Sequence, residues 1–102
     1  MSPVMSWSPT ARRNAIAAAA RLVTRTEWRE STHGPALTRV VRDALTADDR
    51  VDRLHAAYAI RFIEPDRERT LALVRSRLLT ETDAHVAAVL TLNQAQVGGL
   101  AR

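Results

Sequence analysis

Residues 48–60 read Asp48-Asp49-Arg50-Val51-Asp52-Arg53-Leu54-His55-Ala56-Ala57-Tyr58-Ala59-Ile60, and Arg61-Phe62-Ile63-Glu64 carries the segment on to Pro65. Val51, Leu54, His55, Tyr58 and Phe62 recur at helical spacing and form one stripe. Ala56, Ala59, Ile60 and Ile63 widen that stripe to well over half the circumference, leaving Arg53, Ala57, Arg61 and Glu64 on a narrow polar side. A helix so apolar belongs in the middle of a bundle or stack. Thr46 or Asp48 is the expected N-cap, and the acids of the first turn suit the helix dipole. The spacing predicts a helix over residues 48–64.

On the N-terminal side, Ser8-Pro9 opens an earlier helix, because serine caps well and proline at the first position loses only an amide that would be orphaned anyway. Ile16, Ala19, Ala20 and Val23 form its buried face, and the helix is expected to run to about Glu30. Ser31-Thr32-His33-Gly34-Pro35 is a stop, with Gly34 suited to the left-handed conformation. A second helix over 35–45 follows, with Leu37, Val40, Val41, Ala44 and Leu45 inward. On the C-terminal side, residues 66–80 form a helix with Leu71, Val74, Leu78 and Leu79 in its stripe. Residues 83–96 form a fifth, ended by Gly98-Gly99. No segment alternates with period two, so the expected fold is all-α with five helices and no strands. The single helical domain is assigned to 8–97, flanked by tails at 1–7 and 98–102.

Two internal matches refine this. Arg13, Ala17, Ala19 and Arg21 correspond to Arg53, Ala57, Ala59 and Arg61 at an offset of 40, and Asp52, Ala56 and Ala57 correspond to Asp83, Ala87 and Ala88 at an offset of 31. Odd-numbered helices therefore match one another, with shorter amphipathic helices between them. The run 48–60 resembles one helix of a HEAT-like repeat, and Thr82-Asp83-Ala84-His85-Val86-Ala87-Ala88-Val89-Leu90 is similar to a second copy. The resemblance covers about 48–96 and more loosely 9–47. Position 52 is Asp where that family usually favours Arg, which here follows as Arg53. A HEAT-like α-solenoid fragment and a compact orthogonal helical bundle are both compatible with these helices.

The 102 residues hold 15 arginines, no lysine and no cysteine against 11 acids, a net charge of +4. Disulfide frameworks, cysteine-ligated zinc and thiol catalysis are excluded. Residues 1–47 carry the whole excess, while 48–102 are balanced. Arg12-Arg13 before an alanine-rich run superficially resembles a signal peptide, but Arg21 interrupts the run and no small-residue cleavage pattern follows. No stretch is apolar enough to span a membrane, so a cytoplasmic setting is expected.

Arg21, Arg25 and Arg29, spaced by four, are expected on one face of the first helix, with Arg39 and Arg42 extending the patch. Such a face suits an acidic protein partner; the alternative is nucleic acid bound through the same arginines. The unpaired fifth helix, through Val86, Val89, Leu90 and Val97, is the expected apolar interface for self-association or partner docking. No pair of His33, His55 and His85 has metal-ligand spacing, and no nucleophile elbow or phosphate-cradling loop is present. The acids cluster at helix starts, where capping accounts for them. The sequence thus predicts a non-catalytic interaction module with no metal, cofactor or membrane partner.

Overall fold

A computed structural model describes residues 8–99, and among them the chain is all-α: six helices and no strands. The expected tail 1–7 and residues 100–102 lie outside the described residues. Helix α1 spans Pro9–Leu22, and the Ala11 amide donates to Ser8 Oγ at 3.0 Å. Ile16, Ala19, Ala20 and Val23 are buried as the spacing required.

The continuation to Glu30 is corrected. The backbone extends at Arg25, and a separate single turn, α2, covers Thr26–Arg29. The exposed ends of α1 explain the break. Thr24 Oγ1 donates to the Arg21 carbonyl at 2.7 Å, and the Arg29 guanidinium folds back onto the Val23 carbonyl at 2.7 Å. Side chains thus satisfy carbonyls that another helical turn would otherwise have to reach.

Helix α3 covers Gly34–Ala44 and buries Val41 and Ala44, with Leu45 just beyond. Gly34 does not adopt the left-handed conformation; no described glycine has positive φ. It is required for another reason: a Cβ there would sit 2.0 Å from the Arg29 carbonyl oxygen.

Helix α4 spans Arg50–Ala59 and tightens into a 3-10 turn at Ile60–Phe62. Its N-cap is Asp49 in place of the expected Thr46 or Asp48, and it accepts the Val51 amide at 2.7 Å. The buried side is rotated from the expected stripe. Asp52, Ala56, Ala57, Ala59, Ile60 and Ile63 are all buried, which is more than one narrow seam would cover.

 Ala57, expected on the polar side, is wholly enclosed, as are Ala56 and Ala59, whereas Tyr58 from the expected stripe is 55% exposed. The cause is position. Helix α4 is packed by α1 on one side, by α6 on the other and by α3 across its back, and alanines let three neighbours approach closely.

Helix α5 covers Arg67–Thr80, capped by Asp66 through the Glu68 amide at 2.8 Å. It buries Thr70 and Val74, with Leu73 and Leu78 packed at the edge of the core. Leu79, expected in the stripe, is 86% exposed. Helix α6 covers Ala84–Gln94, capped by Asp83 through the Val86 amide at 3.0 Å, and ends in a wide turn at Ala95–Gly99.

Helices α1, α4 and α6 lie side by side in that order; α3 packs on α1 and α4, and α5 packs on α6. The shortest dimension is 19 Å, about two helix diameters. One polar device recurs along the row. Asp49 caps α4 with Oδ1 and accepts Arg13 of α1 at 2.5 Å with Oδ2. Asp83 caps α6 with Oδ1 and accepts Arg50 of α4 at 2.7 Å with Oδ2. Each aspartate thus starts its own helix and ties it to the helix before. No described helix is long and apolar enough to cross a membrane.

Candidate anion-binding surface

Ion pairs decide which arginines keep an uncompensated charge. Arg13 pairs with Asp49, Arg42 with Glu64 at 2.6 Å, Arg50 with Asp83, and Arg53 with Glu81 at 3.1 Å. Arg25 pairs with Glu27 at 3.0 Å. Four acids of the second half, Asp49, Glu64, Glu81 and Asp83, are therefore engaged by arginines of α1, α3 and α4. Among the described residues Arg12, Arg21, Arg29, Arg39, Arg69 and Arg77 have no carboxylate within ion-pair distance, and neither do Arg61, Arg67 and Arg75.

These three join Arg29 along one edge. Arg29 is half-buried; it donates to the Val23 carbonyl and, at 3.2 Å, to Thr26 Oγ1, and its guanidinium lies 5.4 Å from the Phe62 ring centroid. Arg61 lies 4.8 Å from the same centroid and donates to Gln96 Oε1 and, at 3.4 Å, to Asn93 Oδ1. Arg67 donates from Nε to the Val97 carbonyl at 2.8 Å and from Nη2 to the Gly98 carbonyl at 3.1 Å. Arg75 follows two turns later on α5. The order along the edge is Arg29, Phe62, Arg61, the turn at 96–98, Arg67, Arg75.

Two grooves flank that turn. One, of about 560 Å³, is lined by Arg29 and Arg61 with Gly34, Pro35, Thr38 and Phe62 among others; its single carboxylate, Glu64, is held by Arg42. The other, of about 460 Å³, has Arg67 and Arg75 with Thr91 and Gln94 and no carboxylate. Neutral acceptors hold the Arg29, Arg61 and Arg67 guanidiniums in place without cancelling their charge. Such groups remain available to carboxylates or phosphates, with part of their side-chain entropy already lost.

The sequence-predicted patch is only partly assembled. Arg29 belongs to the edge. Arg42 reaches it but is neutralised by Glu64, and also donates to the Ile63 carbonyl at 3.3 Å. Arg25 is turned to Glu27 by the backbone break. Arg21 lines a separate hollow with His55 and Tyr58, and Arg39 stands exposed on α3. The four-residue spacing of Arg21, Arg25 and Arg29 is not a shared face, because the helix stops between them.

The expected apolar interface is also corrected. Val86, Val89 and Leu90 are buried in the core, since the inner side of α6 packs on α4 and α5. Val97 is half-buried beneath the Arg67 hydrogen bond. Leu92, 62% exposed, is the large apolar side chain that α6 presents outward. Arg61, Arg67 and Arg75 were missed because counting charge by halves of the sequence hides which acids are engaged. The available signal was Arg67-Leu71-Arg75 at spacings of four, which places two arginines on one face of α5.

Local pKa directions follow the same pairings. The Arg13 guanidinium and the Val51 amide hold Asp49 below its ordinary value, and Arg50 with the Val86 amide does the same for Asp83. Burial pushes Glu81 up, but hydrogen bonds from Arg53 and the Asp83 amide outweigh it and leave Glu81 lowered. Asp52 is the opposite case: burial, then the neighbouring Asp49 charge, raise it despite Arg13. Among the described residues no three His, Cys, Asp or Glu side chains are grouped to hold a metal ion.

Compared with models of protein families, with curated proteins and with solved structures, the chain matches none.

Proposed function

We propose that this protein is a non-catalytic, HEAT-like interaction module that captures an acidic protein partner on the Arg29–Arg61–Arg67–Arg75 edge. The observation that carries the reading is that the Arg29, Arg61 and Arg67 guanidiniums are held by carbonyls, side-chain amides and an aromatic ring, with no carboxylate within ion-pair distance among the described residues. The α1–α4–α6 row, with α3 and α5 packed against it, supports the stacked-pair architecture. Nucleic acid is the second reading, because phosphates suit the same arginines. The protein partner is favoured because the aromatic ring on the edge, Phe62, is half-buried against two guanidiniums rather than open for base stacking.

The test is binding of a fluorescent polyglutamate peptide and of single-stranded DNA at rising salt. The expected result is saturable peptide binding that weakens with salt and is lost in Arg61→Glu/Arg67→Glu. Tighter binding of DNA than of the peptide, with a steep salt slope, would turn the assignment to the second reading. No binding of either at low salt would remove both.

A further inference from the structure

On the opposite side of α4 from the C-terminal turn, a groove of about 420 Å³ opens between α1, α3 and the start of α4. Its walls are aliphatic: Ala15 and Ile16 from α1, Val40 and Ala44 from α3, and Ala47 from the following loop. Asp43 and Arg12 stand exposed at the rim, and Asp52 completes the lining.

Asp52 is the unusual member. It is 2% exposed, and its Oδ1 has no hydrogen-bond partner. The nearest cation, Arg13, has its Nε 3.9 Å from that oxygen, beyond hydrogen-bonding reach, and its Nη2 is committed to Asp49. A buried carboxylate ordinarily has a cation or several donors against it. Helix capping does not explain this one, because Asp49 is the cap and accepts the Val51 amide. The arginine edge described above does not use it either.

We propose that this groove is a binding site for a small primary aliphatic amine, its ammonium compensating Asp52 and its alkyl stem lying along Ala15, Ile16, Val40 and Ala44. The groove falls within the volume range of small-ligand sites, and an aliphatic wall around a single under-compensated carboxylate selects for a cation with an unbranched apolar arm. Asp43 at the rim adds a second acid facing the same entrance. Arg12 is the one rim group of opposing charge, and it is exposed and free of any ion pair among the described residues, so it can move aside.

The experiment is a titration of the full chain with n-hexylamine, followed by amide chemical shifts, with 1-hexanol and hexanoate as matched neutral and anionic probes. Saturable shifts are expected at Ala15, Ala44 and Ala47, with the amine binding about tenfold more tightly than the alcohol, the gain typical of a charge-assisted hydrogen bond. Asp52→Asn is expected to erase that difference. Ala15→Leu, which keeps the carboxylate and fills the groove, is expected to abolish binding of amine and alcohol together. Absence of saturable shifts, equal affinity for amine and alcohol, an undiminished amine preference in Asp52→Asn, or retained binding in Ala15→Leu each overturns the proposal. Should Asp52→Asn fail to fold, the alcohol comparison and Ala15→Leu still decide.

Discussion

Gly34 and Asp52 show how single residues carry constraints that composition does not display. Gly34 brings the start of α3 against the Arg29 carbonyl, where a Cβ would be 2.0 Å from the oxygen. Gly34→Ala must therefore displace backbone, and a loss of about 1–3 kcal/mol is expected, in the range of overpacking substitutions. Urea unfolding measures it; an unchanged midpoint would show that the α2–α3 junction yields freely. Asp52 is raised above its ordinary value by burial, so its charged form opposes folding. The folded state holds this proton more tightly than the unfolded chain, so stability falls as pH rises through the folded value. Asp52→Asn is therefore expected to melt above the parent at pH 7. The gap should narrow as the pH falls through the folded value towards 3.8. A lower melting temperature at pH 7 would mean that the Arg13 contact outweighs burial. Neither residue's role could be read from its neighbours in sequence. Gly34 looked like a helix-ending glycine, and Asp52 like one more acid in a first turn.

At the level of elements, helix starts were legible and helix ends were not. Ser8 and Asp83 cap where their side chains said they would, and at α4 the cap falls on Asp49, next to the expected Asp48, because an N-cap is a contact over two or three residues. The break between α1 and α2 depends on Arg29 reaching back six residues to a carbonyl, and the rotation of α4 depends on what packs around it. The same long-range character marks the ties between elements. Arg53 forks onto Glu81 and also holds the Ala47 and Asp48 carbonyls at 2.9 and 2.8 Å, pinning the α3–α4 loop to the α5–α6 connection. The Glu81 side chain is 2% exposed, so Glu81→Ala strands Arg53 and is expected to cost about 3 kcal/mol. A thermal melt combined with the Arg53→Ala double-mutant cycle separates that coupling from the loss of packing. Asp49, Asp83 and Glu81 all have lowered pKa values. Their contribution is full above the unfolded values of 3.8 and 4.5 and disappears as pH falls through the lower folded ones. Acid unfolding is thus expected to steepen below about pH 4. Stability that stays flat from pH 5 to about pH 2 would contradict these pairings.

For the molecule as a whole, the distribution of free charge matters more than its sum. Reversing Arg67 and Arg75 to Glu is expected to weaken polyglutamate binding at least about tenfold, whereas reversing Arg21 and Arg39 is expected to change it little. Equal losses in the two double variants, measured by fluorescence anisotropy at one salt concentration, would point to net charge rather than to the edge. The sequence by itself determined the all-α class, most helix starts and much of the apolar core, because these depend on periodicity and on contacts a few residues apart. It also contained the offsets between the first, third and fifth expected helices, which are α1, α4 and α6 and lie side by side. Only the tertiary structure decided where the arginines remain uncompensated and which side of α6 is covered. Those outcomes rest on pairings such as Arg50–Asp83 and Arg53–Glu81, about thirty residues apart, whose partners are brought together by packing and by nothing in the local pattern.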